Sequence, residues 1–190
     1  MPISVIAGAQ YGSEGKGKVA HAWAKRSEDV IAVRVGGPNS GHTVVDDEGR
    51  HVFRQLPTAA LEQTTLSVVP PGAYLREHVI LDEIRSLNLD SSRLLIDPRA
   101  VVITDADVEA ENSAQLSARI GSTGSGTGAA VGRRIRRDGT LVRAENLESL
   151  REYLGDTLPL LHEALRDQRR VLIEGTQGYG LSIMHGLERD

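Results

Sequence analysis

Four glycine-bearing stretches hold the residues whose types and spacing could do chemistry. The first is GAQYGSEGKGK, Gly8 to Lys18, which follows the apolar run Ile3, Val5, Ile6. Gly12, Gly15 and Gly17 let the backbone approach an anion, Lys16 and Lys18 bring positive charge, and a helix starting there adds the partial charge of its N-terminus. The common phosphate loop would need glycine at position 10 and serine or threonine at 17, but Gln10 and Gly17 stand there. Glycine with lysine therefore leaves nucleotide binding and a plain glycine turn equally open. The second stretch, GGPNSGHT, holds Asn39, Gly41 and His42. Imidazole titrates near neutral pH, so a histidine among glycines with an amide nearby suits proton transfer. A structural histidine fits this segment as well. GSTGSGTG, Gly121 to Gly128, reads as a linker or a ligand loop. In EGTQGYG, Gln177 stands between glycines, either as a polar turn residue or as a ligand contact.

The hydrophobic pattern supplies the elements that must position these stretches. ISVIAG reads as a short buried strand ending at the first loop, and GKVAHAWAKRSED follows with helical spacing. VIAVRVGGPNSGHTVV reads as strand, loop, strand, and RQLPTAAL as a loop between extended pieces. AYLREHVILDEIRSLN is the clearest amphipathic helix, with Leu75, Val79, Ile80, Ile84 and Leu87 along one side. RLLIDPRAVVI predicts two strands around Pro98. TDADVEAENSAQLSARI predicts a helix capped by Thr104 or Asp105. GSTGSGTGAAVG reads as a flexible glycine segment, and ENLESLREYLGDTLPLLHEALRDQ as a helix pair broken near Gly155 or Pro159. RRVLIEGTQGYG predicts a final buried strand running into a loop. No repeat occurs at solenoid periods. Three of the chemical loops follow expected strand ends, where open α/β sheets gather their ligands.

The chain has 190 residues, enough for one α/β domain with a core. A net charge of -4 and an aromatic content of 3% give neither a general pull toward nucleic acid nor a base-stacking platform. Basic residues cluster only locally, as in GRRIRRDG, Gly132 to Gly139. The absence of cysteine excludes disulfides and thiolate metal sites and fits a reducing compartment. MPISVIAGAQ lacks the basic start and long apolar core of a secretory leader. No apolar run approaches the ~20 residues of a membrane span. A cytoplasmic location, with no membrane or nucleic-acid partner, is expected.

Taken together and in order, GAQYGSEGKGK, GGPNSGHT, QLP, GSTGSGTG and EGTQGYG resemble the adenylosuccinate synthetase family, whose members show patterns like GxQWGDEGKGK, GGxNAGHT, GTTGRGIGP and EGAQG. The resemblance runs from Ile3 to about Gly186. It implies a mostly parallel central sheet flanked by helices, related to phosphate-loop GTPases, in one domain over residues 1–190. It implies a ligase reaction in which a nucleoside triphosphate (ATP, GTP or dATP) phosphorylates the 6-oxygen of a purine monophosphate and L-aspartate then displaces the phosphate. Gly12, Gly15, Lys16, Gly17, Lys18, Gly41 and Thr43 are then the expected nucleotide-binding positions. Ser13, Lys16, His42 and Gln177 are the expected catalytic ones, with His42 as acid on the transferred phosphoryl group. Asn39, Thr123 and Gln177 would meet the monophosphate. Arg136 or Arg137 would reach the substrate of a neighbouring subunit in a homodimer. Mg2+ would sit at the Gly41 carbonyl and the position of Ser13.

Two departures qualify this. Ser13 replaces the family aspartate that takes the purine proton and ligates magnesium. A viral branch of the family, from viruses whose DNA contains 2,6-diaminopurine, carries serine there. That branch also resembles this chain at Ser125 within GSTGSGTG and at EGTQGYG, and it converts deoxyguanylate to 2-aminoadenylosuccinate nucleotide. The family pattern also continues past His185 and Gly186, with the aspartate-binding loop and the segment that recognises the triphosphate base, so the resemblance implies that the C-terminal part of the fold is missing. Three readings are open: the diaminopurine-branch ligase, the ordinary enzyme acting on inosinate, and an inactive nucleotide-binding or dimerising half-protein.

Overall fold

The computed structural model describes residues 3–137, 139–182 and 184–186. The chain begins with β1 (Ile3–Ile6), α1 (Lys16–Ala24), β2 (Val30–Arg34) and the hairpin β3 (His42–Asp46) and β4 (Gly49–Phe53). Then come β5 (Leu66–Val69), β6 (Tyr74–Leu75), α2 (Glu77–Ser86), β7 (Leu94–Ile96) and β8 (Val101–Val102). The remainder is α3 (Asp105–Ser113), α4 (Leu116–Ile120), α5 (Thr127–Arg136), α6 (Thr157–Arg166) and β9 (Arg170–Glu174).

Five strands form one sheet in the order β1-β9-β2-β5-β7, and every neighbouring pair is parallel. All five residues of β2 are buried, as a strand covered on both faces requires. Ala20, Ala24, Val30, Ala32 and Leu172 pack under α1, and Ile31, Val33, Val68, Ala164 and Val171 under α6. A larger cluster joins Ile80 and Ile84 of α2 to Leu75, Leu94, Ile96 and Leu150. The last strand, β9, lies between β1 and β2, so the loops leaving the C-terminal ends of these three strands are neighbours. This is the α/β architecture with a mainly parallel sheet that the resemblance implies.

Several expected elements take a different form. The amphipathic helix starts at Glu77 and not near Ala73, because Tyr74 and Leu75 pair with Val101 and Val102. The extended piece expected after RQLPTAAL is β5. The helix over 105–120 breaks at Gln115, which adopts a φ of 52°. The cap of α3 is Thr104, in a reciprocal capping box with Asp107. Glu148–Tyr153 forms a 3-10 turn where a helix was expected, and the break falls at Gly155, whose N–H donates to the Ile96 carbonyl at 3.0 Å. Pro159 sits in the first turn of α6, where its missing N–H has no intrahelical acceptor to lose. The second half of the glycine segment is regular: from Thr127 it is α5. Among the described residues no helix is long and apolar enough to cross a membrane.

Candidate active site

The loops after β1 and β9 are sewn together through their backbones. Tyr179 N donates to Gly8 O at 2.9 Å and Gly180 N to Gln10 O at 2.7 Å. The approach tolerates no side chain: a Cβ on Gly178 would lie 2.3 Å from Gln10 O. The Lys16 ammonium closes this seam. It is 3% exposed and donates to Gly12 O at 2.7 Å and Gln177 O at 2.6 Å, two of its three possible bonds. Lys16, Gly12 and Gln177, which are far apart in the chain, therefore meet.

Glu14 folds back onto its own loop. Its carboxylate accepts from the N–H groups of Ala9, Gln10 and Gly12 at 2.9, 3.0 and 3.2 Å. Desolvation opposes its ionisation, but these three N–H groups and the charge of Lys16 hold its pKa below the ordinary value. With Glu14 engaged there, the first turn of α1 is left open. Its N-cap is Gly15, which offers no side chain, and among the described residues the N–H groups of Lys16, Gly17 and Lys18 have no acceptor. These are the orphan donors that favour an anion at a helix N-terminus.

Gly17 shows why the ordinary phosphate-loop serine is absent. It is buried beneath the second loop, and a Cβ on it would lie 2.8 Å from the His42 Cβ and 3.0 Å from the Thr58 Cγ2. His42, at the start of β3, is 7% exposed and bonds through Nδ1 to Glu174, which is fully buried at the end of β9. Glu174 also accepts from Arg34 Nη1 at 3.3 Å, Thr58 N at 2.8 Å and Thr58 Oγ1 at 2.9 Å. Burial opposes its charge, yet the bonds from His42 and Thr58 and the Arg34 guanidinium hold its pKa below the ordinary value. Arg34 and Glu174 are register partners across β2 and β9, and Arg34 Nη2 fixes the second loop through Ser40 O at 3.1 Å.

The remaining loops join the same edge. A Cβ on Gly36, whose φ is +112°, would lie 2.3 Å from Thr176 Oγ1, and one on Gly37 would lie 2.9 Å from Thr127 Cγ2 and 3.4 Å from Asn39 Oδ1. Thr123, Ser125 and Thr127 form a hydroxyl chain at 3.1 and 3.0 Å. Behind it, the carboxylate of Glu111 accepts from Gly126 N at 2.8 Å, Gly128 N at 2.7 Å and Ala129 N at 3.2 Å.

Not every expected residue joins this cluster. Thr43 follows His42 in β3 and so lies on the opposite face of that strand. Lys18 is exposed and borders a groove with Trp23 and Arg26. Arg136 and Arg137 lie at the far end of α5, ~14 Å from Thr127 at 1.5 Å per residue. Arg137 there borders a surface cavity of about 540 Å³ with Arg99, Arg134 and Arg143. Ser13 is exposed, and its hydroxyl has no partner among the described residues. Sequence reasoning missed Arg34, Thr58, Glu111 and Glu174. Arg34 and Glu174 did carry a signal, since each is a charge at the end of an otherwise apolar strand run.

The donor set bears on magnesium. Among the described residues no group of three or more His, Cys, Asp or Glu side chains could hold a metal. Glu14 is committed to backbone, leaving neutral oxygens such as the Ser13 hydroxyl and the Gly41 carbonyl. That set fits Mg2+ carried in by phosphates and not as a bare ion.

A family model described as adenylosuccinate synthetase matches residues 5–149. The adenylosuccinate synthetases of Methanococcus maripaludis strain C5 and Archaeoglobus fulgidus are 38% and 34% identical to this chain over 98% of its length. The matches cover 56% and 55% of those proteins, so the chain spans about half the length of these curated relatives. Among solved structures, the succinoaminodeoxyadenylate synthetase of cyanophage S-2L, bound to dGMP and dATP, matches with a TM-score of 0.81 and 30% identity over 97% of this chain and 53% of that one. The fully ligated adenylosuccinate synthetase of Plasmodium falciparum gives a TM-score of 0.85 at 22% identity over 97% of this chain and 53% of that one, which supports the fold.

Proposed function

The chain belongs to the adenylosuccinate synthetase family, and from that premise we propose that its loops hold a nucleoside triphosphate with Mg2+ beside a purine nucleoside monophosphate. The protein they serve would join L-aspartate to carbon 6 of the purine, a carbon–nitrogen ligase step of purine biosynthesis. The observation that carries this is the meeting of four glycine-bearing loops at one sheet edge, with the open N-terminus of α1 beside His42 and the seam of Lys16 and Gln177.

In this reading the purine loses its N1 proton to solvent as its 6-oxygen attacks the γ-phosphorus, the nucleoside diphosphate leaves, and the deprotonated amino group of aspartate then displaces the new phosphate from carbon 6, releasing a further proton. Phosphoryl transfer needs positioning and positive charge more than covalent help. The N–H groups of Lys16, Gly17 and Lys18 would take the triphosphate, with Gly12 and Gly15 allowing the close approach. The Gly41 carbonyl and the Ser13 hydroxyl would hold the magnesium that a triphosphate brings with it, and its charge would offset that of the phosphates. Asn39 and Thr123 would contact the monophosphate and Gln177 its base. We read Arg136 or Arg137, at the far end of α5, as reaching the substrate of a neighbouring subunit in a cytoplasmic homodimer.

The monophosphate we assign is deoxyguanylate. Ser13 offers a neutral, unpartnered hydroxyl where the family pattern has a carboxylate, which changes the volume and hydrogen bonding presented to a purine with a 2-amino group. Ser125 and the likeness to the dGMP-bound cyanophage structure point the same way. Inosinate is the second reading, favoured by the adenylosuccinate synthetase relatives at up to 38% identity. Calorimetry of the chain with each monophosphate, in the presence of magnesium and a triphosphate, separates them. Deoxyguanylate should bind more tightly, and Ser13→Asp should reverse the preference. A Ser13→Asp variant that strengthens both ligands equally would remove the specificity argument.

A further inference from the structure

Glu174 has no part in the reading above, yet its surroundings are those of a working carboxylate. It is fully buried, and each oxygen has two donors. Arg34 and His42 share Oε1, and the N–H and hydroxyl of Thr58 share Oε2. An ionised carboxylate only accepts hydrogen bonds. The Arg34 charge and the Thr58 N–H favour the ionised form, so the bond to His42 has its proton on Nδ1. The other ring nitrogen, Nε2, then faces away from Glu174 and has no partner among the described residues.

The position of the ring gives that nitrogen its use. Because Gly17 has no Cβ, the Cβ of His42 packs against the first turn of α1. His42 therefore packs on the turn whose N–H groups are open to an anion.

We infer that Glu174 is the positioning residue of His42, fixing the proton on Nδ1 and so presenting Nε2 to the transferred phosphoryl group. This rests on the nucleotide reading of the site. Proton transfer by a histidine needs one tautomer in one orientation, and a carboxylate on the remote nitrogen is the common way to impose both. Donation from Nε2 uses the ring protonated on both nitrogens, with the Nδ1 proton still facing Glu174. A carboxylate that merely neutralised Arg34 would have no such need of the ring.

The test is 15N NMR of the chain labelled at histidine. His42 should carry its proton on Nδ1, and magnesium with an excess of ATP, GTP or dATP should shift the Nε2 resonance. In Glu174→Gln the amide carbonyl is retained by the Thr58 N–H and the NH2 group faces the ring, so the proton should move to Nε2. A purely structural Glu174 would lower the melting temperature in this variant without moving the proton, and that result overturns the inference. So does a bare Nδ1 in the unmodified protein, a measurement that does not depend on the variant folding. If calorimetry shows triphosphate binding while Nδ1 is bare, the proposed function stands and the role of Glu174 falls. If Nδ1 is protonated but no triphosphate binds, the nucleotide reading fails and the transfer role falls with it.

Discussion

Helices α1 and α5 both start from a glycine in the left-handed region, Gly15 at φ 81° and Gly126 at φ 77°, and both follow glycine-rich loops. Each loop also has a carboxylate close by. Glu14 bonds to the N–H groups of residues 9, 10 and 12, upstream of α1, and leaves the helix end open. Glu111 bonds to the N–H groups of residues 126, 128 and 129, which are the start of α5 itself. One helix N-terminus is therefore available to an anion, and the other already holds one. A glycine loop before a helix signals a phosphate site only if nothing internal has taken its donors. Ligand contacts by the GSTGSGTG loop are therefore left to hydroxyls such as Thr123 and Ser125 and to the N–H groups of residues 123, 125 and 127, which have no acceptor among the described residues.

The contrast can be broken most forcefully at Glu111. It is 4% exposed, and Glu111→Ala would strand three N–H groups in a buried site. Losing a buried charged acceptor should lower stability by about 3 kcal/mol or more, read by denaturant titration, with triphosphate affinity per folded molecule unchanged. Full stability in this variant would show that the carboxylate is not what closes α5.

Lys16→Ala sharpens the other half. The ammonium both closes the seam and lends charge to the open helix end, and removing one contact to a charged group should cost roughly 1.5–3 kcal/mol. Triphosphate affinity should fall on the order of tenfold or more by calorimetry. Normal binding would take the first loop out of the site.

The smallest effect concerns pH. The folded-state pKa of Glu14 lies below its ordinary value of 4.5, so its contribution is complete above that value and is lost as pH falls through the lower, folded pKa. Comparing melting temperatures of the unmodified protein and Glu14→Gln from pH 6 down to pH 3 should show the gap narrowing in the acid. A gap that widens on acidification would mean the carboxylate is not held ionised by the loop.

Local pattern carried most of the architecture. The strand runs of β1, β2 and β9, the spacing of α2, the capping residues before α3 and the glycine loops all follow from periodicity and from residues with few conformational alternatives. The same loops carried the family resemblance. Tyr74–Leu75 left its helical spacing because a partner strand was available at Val101–Val102.

What the chain alone could state was which groups were on offer: an anion loop at residues 8–18, a histidine among glycines at 42, an amide at 177 and a basic run ending α5. Tertiary structure decided which of them meet. His42 and Glu174 are 132 positions apart, and Lys16 and Gln177 are 161 apart. They are brought together because β9 inserts between β1 and β2, a choice made by burial of the whole sheet. The same packing made Gly17 necessary, aimed Thr43 away from the site, and set Arg136 and Arg137 a helix length from the loops. Local sequence sets the conformations and chemistry each segment can offer. Contacts across the core, which depend on how all the elements bury their apolar faces at once, select among them.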